Sequence, residues 1–239
     1  MIELKKGMRL GFRLALPLLT LLLAFPGQAA ATATPAEAVV EQATEEMLTL
    51  IEQAKAYVDE DRERFFDEVE QLLTPVVDFS RFARSVMAAY YRDATPEQRR
   101  RFEESFRRTL VRTYAVALTE FEDGEVVVVP SGRPLQDPNR ANVKQEVRLA
   151  SGEVYPVIYS MSRSEDGAWR MRNIIVNGVN MGLTYRNQFS SAATDAKYGG
   201  DMDRIIDGWI ESVGQEAGVE GADPKTDATA EPIAEASVD

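Results

Sequence analysis

The chain has 239 residues, with 27 Lys plus Arg against 39 Asp plus Glu, a formal net charge of −12, and neither Cys nor His. Without Cys there is no disulfide, thiolate nucleophile or zinc–thiolate site; without His, the Ser-His-Asp and Cys-His layouts, imidazole metal ligation and the usual general base near neutral pH are gone. Such acidity repels nucleic acid and anionic membrane surfaces, which argues against both as lasting partners.

Lys5, Lys6, Arg9 and Arg13 precede an apolar run from Leu14 to Phe25, and the small residues Gly27, Ala29 and Ala30 follow it. This is the three-part layout of a secretory signal peptide, predicted over 1–29 with cleavage after Ala29. The run is about 12 residues, interrupted by Pro17 and short of the ~20 that a transmembrane helix needs. Residues 1–29 hold four cations and one acid, so the cleaved chain would carry −15. No cysteine follows for a lipoprotein anchor, and the mature chain is expected to be free in its compartment, with no stable membrane anchor.

Thr34-Pro35-Ala36-Glu37 reads as a capping box with Pro at the first helical position. Val39, Ala43, Met47, Leu50 or Ile51, Ala54 and Val58 then recur at helical spacing to about Asp59. A second helix carries Phe65, Phe66, Val69, Leu72 and Leu73 and stops before Thr74-Pro75. A third spans about Val77 to Tyr91. Thr95-Pro96-Glu97-Gln98 is another capping box, opening a long helix with Phe102, Phe106, Leu110, Tyr114 and Leu118 in steps of four. Arg99, Arg100, Arg101, Arg107 and Arg108 surround Glu103 and Glu104 there; the spacing suits surface ion pairs, and a docking role for this basic face is the alternative.

From Glu125 the period drops to two. Val126 to Val129, a strand around Val143 to Leu149, Val154 to Ser162 and Trp169 to Val176 are joined by short turns, an antiparallel meander of about four strands. Pro156 predicts a bulge or an edge in its strand. Asn177-Gly178 is expected to end the sheet. Met181 to about Ala193 and Asp201 to Val213 read as closing helices. Beyond Gly214, seven acids face one Lys, a composition that predicts a disordered acidic tail over 214–239. Helices first and an antiparallel sheet after make the fold class α+β: a curved sheet wrapped by helices, with an N-terminal helical part. The space between sheet and helices is either packed solid or left hollow.

Asp78, Asp93, Asp123 and Asp166 sit at predicted caps and turns, where Asp serves the backbone. No Gly-rich phosphate loop or Ca²⁺-loop spacing occurs. The large apolar residues, Met and aromatics prominent among them, would make a compliant wall or an ordinary core equally well.

Two stretches carry a family resemblance: PVVDFSRFARSVMAAYYRDATPEQRRRFEESFRRTLVRTYAVAL, from Pro75 to Leu118, and WRMRNIIVNGVNMGLTYRNQF, from Trp169 to Phe189. In this order behind a signal peptide they resemble MlaC, the periplasmic phospholipid-binding component of the Mla (Mce-type ABC transporter) system, also known as a toluene-tolerance auxiliary component. The likeness runs from about Glu37 to Val213. The chain departs from the family pattern with Asn at 173 in place of Asp, with Asn177 and Asn180, at Tyr198-Gly199-Gly200-Asp201, and in the acidic tail.

The resemblance implies a nuclear-transport-factor-2-like domain over 34–213, whose hydrophobic pocket takes acyl chains and leaves the head group in water. Its function would be a periplasmic phospholipid carrier between the outer membrane and an inner-membrane ABC transporter, maintaining outer-membrane lipid asymmetry. It would act as a monomer, without enzymatic activity, cofactor or metal. Its partners would be phospholipid as cargo, an inner-membrane Mce-type ABC transporter complex and an outer-membrane lipoprotein–porin complex, with no nucleic acid. The expected pocket wall takes Phe82, Val86, Met87 and Tyr90 from the third helix and Phe106, Leu110 and Tyr114 from the long one. From the strands it takes Val147, Val157, Tyr159, Met161, Trp169 and Ile175, and beyond them Val179, Met181 and Tyr185. The alternative cargoes are a hopanoid, an isoprenoid or an aromatic solvent. An enzyme on the same cone-shaped fold would need an inward-facing acid, and Asn173 stands where one is expected.

Overall fold

The computed structural model describes residues 33–119 and 124–218, and the side chains among them apart from 116–119 and 215–218. The predicted signal peptide and its cleavage site, Asp123 and the tail beyond residue 218 lie outside the described residues.

Helix α1 (Pro35–Ala54) starts on the predicted capping box: the Thr34 hydroxyl accepts from Glu37 N–H at 3.3 Å and the Glu37 carboxylate accepts from Thr34 N–H at 2.6 Å. It ends five residues short of Asp59. The chain there folds into turns that bring the Tyr57 phenol to Glu68 and the Tyr57 ring under Arg64, both on helix α2 (Arg62–Leu73). Helix α3 (Phe79–Met87) is capped by Asp78, which accepts from Arg81 N–H at 2.9 Å. The predicted third helix is broken at Ala88, whose φ is +51°, and goes on as a 3-10 turn over Ala88–Tyr91. Helix α4 (Pro96–Thr119) opens on the second capping box, where Thr95 Oγ1 and Gln98 Oε1 accept from each other's backbone at 3.2 and 2.9 Å.

The sheet is a meander in the order β1 (Gly124–Val129), β2 (Arg140–Leu149), β3 (Val154–Arg163), β4 (Trp169–Val176), β5 (Val179–Asn180), every pair antiparallel. Asn177-Gly178 therefore does not end it. Both residues take positive φ, +48° and +84°, which is the geometry of a two-residue hairpin turn, and the chain doubles back into a short fifth strand. The irregularity predicted at Pro156 lies elsewhere. Met161 pairs with Met171 and Ser160 with Asn173, so Arg172 is an extra residue on β4 and the bulge is there. The Pro156 carbonyl accepts from Asn177 N–H at 2.8 Å, and the nitrogen of a strand residue points to the same side as its carbonyl. The missing N–H thus falls where the β3–β4 ladder has run out and leaves β2–β3 intact.

Helix α5 (Met181–Thr194) is capped by Asn180 and helix α6 (Met202–Gly218) by Asp201, α6 running past the expected end at Val213. The arginines of α4 serve the fold. Arg101 pairs with Asp203 at 2.7 Å and with Asp207 on α6, Arg107 with Glu70 on α2 at 2.9 Å, and Arg112 with Glu63. Of the basic face that offered a docking alternative, Arg101 and Arg107 are thereby engaged, Arg99 donates to the Tyr91 and Arg92 carbonyls, and Arg100 pairs with Glu104 on α4 itself.

The buried apolar residues form two clusters. The larger lies among the helices, where Phe102, Phe106, Phe189, Tyr185 and Trp209 interlock, with Phe102 5.0 Å from Phe189 and 5.1 Å from Trp209 in edge-to-face contact. The smaller joins Ala36 and Val40 of α1 to Val143, Met161 and Trp169 of the sheet. Both contribute side chains to one hollow between them.

Candidate functional site

That hollow has a volume of about 420 Å³, within the ~300–1,000 Å³ of typical ligand sites. Val39, Val40, Ala43, Met47, Leu48 and Ile51 of α1 form one wall. Leu110, Val111, Tyr114 and Ala115 of α4 and Val69 and Leu73 of α2 form another, and Phe79 and Phe82 reach in from α3. The sheet supplies Val126, Val147, Tyr159, Met161, Ile174 and Val176. Among the described residues the wall carries no carboxylate and no cation; its polar groups are Thr44, Gln145 and the two phenols.

Those polar groups are partnered. Buried Gln145 donates to Thr44 Oγ1 at 2.7 Å and accepts from the Tyr159 hydroxyl at 2.7 Å, while Thr44 donates to the Val40 carbonyl. Burial pushes the Tyr159 phenol up to about 12, so it stays a neutral donor. Tyr114 Oη lies 2.5 Å from Tyr185 Oη, and burial raises the Tyr114 phenol as well, against the opposing effect of that hydrogen bond. Tyr114 is 41% exposed and lines the hollow. The chain Tyr159–Gln145–Thr44 ties β3 and β2 to α1 without presenting an unmet donor or acceptor at a catalytic geometry.

Of the residues expected in the wall, Phe82, Leu110, Tyr114, Val147, Tyr159, Met161 and Met181 line the hollow. Nine do not. Val86, Met87, Phe106 and Tyr185 are buried in the helical cluster, with Tyr90 packed against it. Trp169 is buried in the smaller cluster. Val157 shares the face of Tyr159 without reaching the wall, and Val179 is exposed. Ile175, expected in the wall, faces out: the extra residue Arg172 reverses the parity of β4, so Ile174 and Val176 face in. The same reversal places Asn173 on the outer face. Its side chain donates to Asn180 Oδ1 at 3.0 Å and accepts from Gly182 N–H at 2.9 Å, fastening β4 to the start of α5. An acid at that position would not enter the hollow, which removes the geometry an enzyme reading relied on.

The sequence reading missed α1. Its helical stripe is visible from Val39 to Ile51, and that regularity was the available signal. The wall also differs in kind from the expectation: most aromatics fill the solid helical core, while the hollow is mainly aliphatic. Flat rings gain from fixed edge-to-face contacts, whereas aliphatic and thioether chains keep close contact in several rotamers.

An open antiparallel sheet with helices on one face and an apolar hollow between them defines an α+β cavity protein of nuclear-transport-factor-2-like architecture. The family model described as "MlaC protein" matches residues 41–211, so the chain belongs to the MlaC family. It is 39% identical to the toluene tolerance protein ttg2D of Pseudomonas putida over 197 residues, 82% of this chain and 89% of that protein. It is 25% identical to the intermembrane phospholipid transport system binding protein MlaC of Haemophilus influenzae over 145 residues, 60% of this chain and 67% of that one. A phospholipid-binding protein from Ralstonia solanacearum, solved in complex with a phospholipid, superposes with a TM-score of 0.66 at 28% identity, covering 75% of this chain and 97% of that one.

Proposed function

We propose that this chain is a periplasmic phospholipid carrier that takes acyl chains into the hollow, leaves the head group in water and catalyses nothing. The observation that carries the reading is the wall: aliphatic side chains from α1, α2, α4 and the sheet, with no charged group among the described residues. Each buried CH₂ is worth about 0.8 kcal/mol, so two chains of about 15 carbons offer on the order of 20 kcal/mol gross. Leaving a bilayer costs the chains a similar amount of apolar burial, so the hollow offsets the cost of extraction without a head-group contact. The exchange between membrane and hollow is therefore near balance, which lets the cargo leave as well as enter. The names of the Haemophilus and Ralstonia relatives support phospholipid as the cargo.

In this reading the carrier moves lipid between an outer-membrane lipoprotein–porin complex and an inner-membrane Mce-type ABC transporter, and so maintains outer-membrane lipid asymmetry. A carrier with no energy source of its own lets the complexes at either end set direction. The test is transfer of a fluorescent phospholipid between donor and acceptor vesicles separated by a protein-permeable membrane. Transfer proportional to protein concentration is expected. Loading of an isoprenoid or an aromatic solvent in preference to phospholipid would contradict the assignment.

A further inference from the structure

A second cavity, of about 300 Å³, lies on the outer face of the sheet. The β4 bulge presents Arg172 and Asn173 to it, β3 adds Ser160, α3 adds Arg81 and Ser85, and α5 adds Arg186 beyond its N-terminus at Met181. Three guanidiniums thus border one pocket of a protein whose net charge is −12.

Their partners are few. Arg186 Nε donates to the Ser85 carbonyl at 3.1 Å and its Nη2 to Ser85 Oγ at 3.2 Å, both neutral. Arg81 reaches Ser162 Oγ at 3.2 Å and has Asp78 at 3.5 Å. Arg172 is the outlier. Its Nε is buried without a hydrogen-bond partner, and burial, followed by the charges of Arg140 and Arg81, pushes its pKa down. Arg140 itself has Asp137 only at 3.9 Å. A half-buried guanidinium among other cations, with its Nε shut off from water, is costly unless an anion completes the site. The positive end of the α5 dipole acts in the same sense, although Asn173 and Asn180 already hold the Gly182 and Leu183 N–H groups.

We propose that this pocket binds a phosphate group, presented either as free phosphate or on a glycerophospholipid head group. A planar carboxylate is saturated by one guanidinium fork, whereas a tetrahedral phosphate has oxygens for several cations arriving from different sides. Leu183 and Val179, 50% and 53% exposed, lie close in the chain to the pocket residues Gly182 and Asn180, and Leu183 itself lines the pocket. The site faces away from the apolar hollow, so it stands or falls independently of the cargo.

The test uses the whole mature protein with its cargo retained, at constant ionic strength. Inorganic phosphate and glycerophosphoglycerol, a head group without acyl chains, are titrated separately and followed by calorimetry and by the amide resonances of Gly182 and Leu183. Saturable binding of at least one probe, shifting those two amides, is expected. Arg172→Gln and Asn173→Asp should each weaken it about tenfold or more, the size of one lost charge-assisted contact. Lys144→Gln, an exposed cation elsewhere on the same face, should leave it unchanged. Arg172→Gln removes an uncompensated charge, so in phosphate-free buffer its melting temperature should equal or exceed the parent's, and phosphate should raise the parent's alone. Tighter binding of glycerophosphoglycerol assigns the site to a lipid head group; equal or tighter binding of phosphate assigns it to the free ion. No saturable binding of either probe, affinity unchanged in Arg172→Gln, or binding of an acidic peptide where neither probe binds would overturn the proposal.

Discussion

A β-carbon at Gly208 would stand 1.8 Å from the Tyr198 hydroxyl and 2.6 Å from a ring carbon, so the absence of a side chain there lets the ring lie against α6. Gly208→Ala must displace that ring, and overpacking of this kind costs about 1–3 kcal/mol. Thermal melts should show the loss in the parent and much less of it in a Tyr198→Ala background, where nothing is left to displace. Glu37 works by charge. Burial pushes its carboxyl up, but hydrogen bonds from Thr34 and Ser131 outweigh this and hold it below the ordinary 4.5. A lowered folded-state value means that the stabilisation is complete above pH 4.5 and is lost as pH falls through the folded value. Glu37→Gln should therefore lower stability by about 1.5–3 kcal/mol at neutral pH, and melts at decreasing pH should show parent and variant converging below 4.5.

At the scale of elements, what the sequence announces depends on how local the cause is. Both capping boxes, the Asp78 cap and the Asn180 and Asp201 caps are written within four residues, and the helix starts are legible for that reason. Asn177-Gly178 is equally local, but the turn is legible only when read as a hairpin, with a partner strand on its far side. The β4 bulge is not local. It arises because β3 and β4 pair out of step at Ser160 and Met161, and nothing in Arg170-Met171-Arg172-Asn173 declares it. Its consequence is testable. Ile174→Asp, facing the hollow, should abolish co-purifying lipid, as should Val147→Asp across the sheet; Ile175→Asp, on the outer face, should retain it. Lipid extraction from the three folded variants checks this, and lipid retained in Ile174→Asp but lost in Ile175→Asp would reverse the strand's assigned facing.

For the whole molecule the deciding feature is a core divided in two. The helical cluster is filled by Phe102, Phe106, Phe189, Tyr185 and Trp209, while the hollow beside it is bounded mainly by aliphatic side chains. Solid core and cavity wall draw on the same apolar residue types, and that is why sequence alone placed Phe106 and Tyr185 in the wall and overlooked Val40 and Ile51. The apolar line of α4, in steps of four, is legible, but which of its members meet a void depends on how far α1 stands from the sheet. The Thr44–Gln145–Tyr159 chain helps to hold that separation. The most direct measurement is native mass spectrometry of the unmodified mature protein, purified from a bacterial host without detergent. The account predicts a bound mass that lipid extraction identifies as phospholipid. Protein that emerges empty, and takes up none when offered phospholipid vesicles, would contradict it.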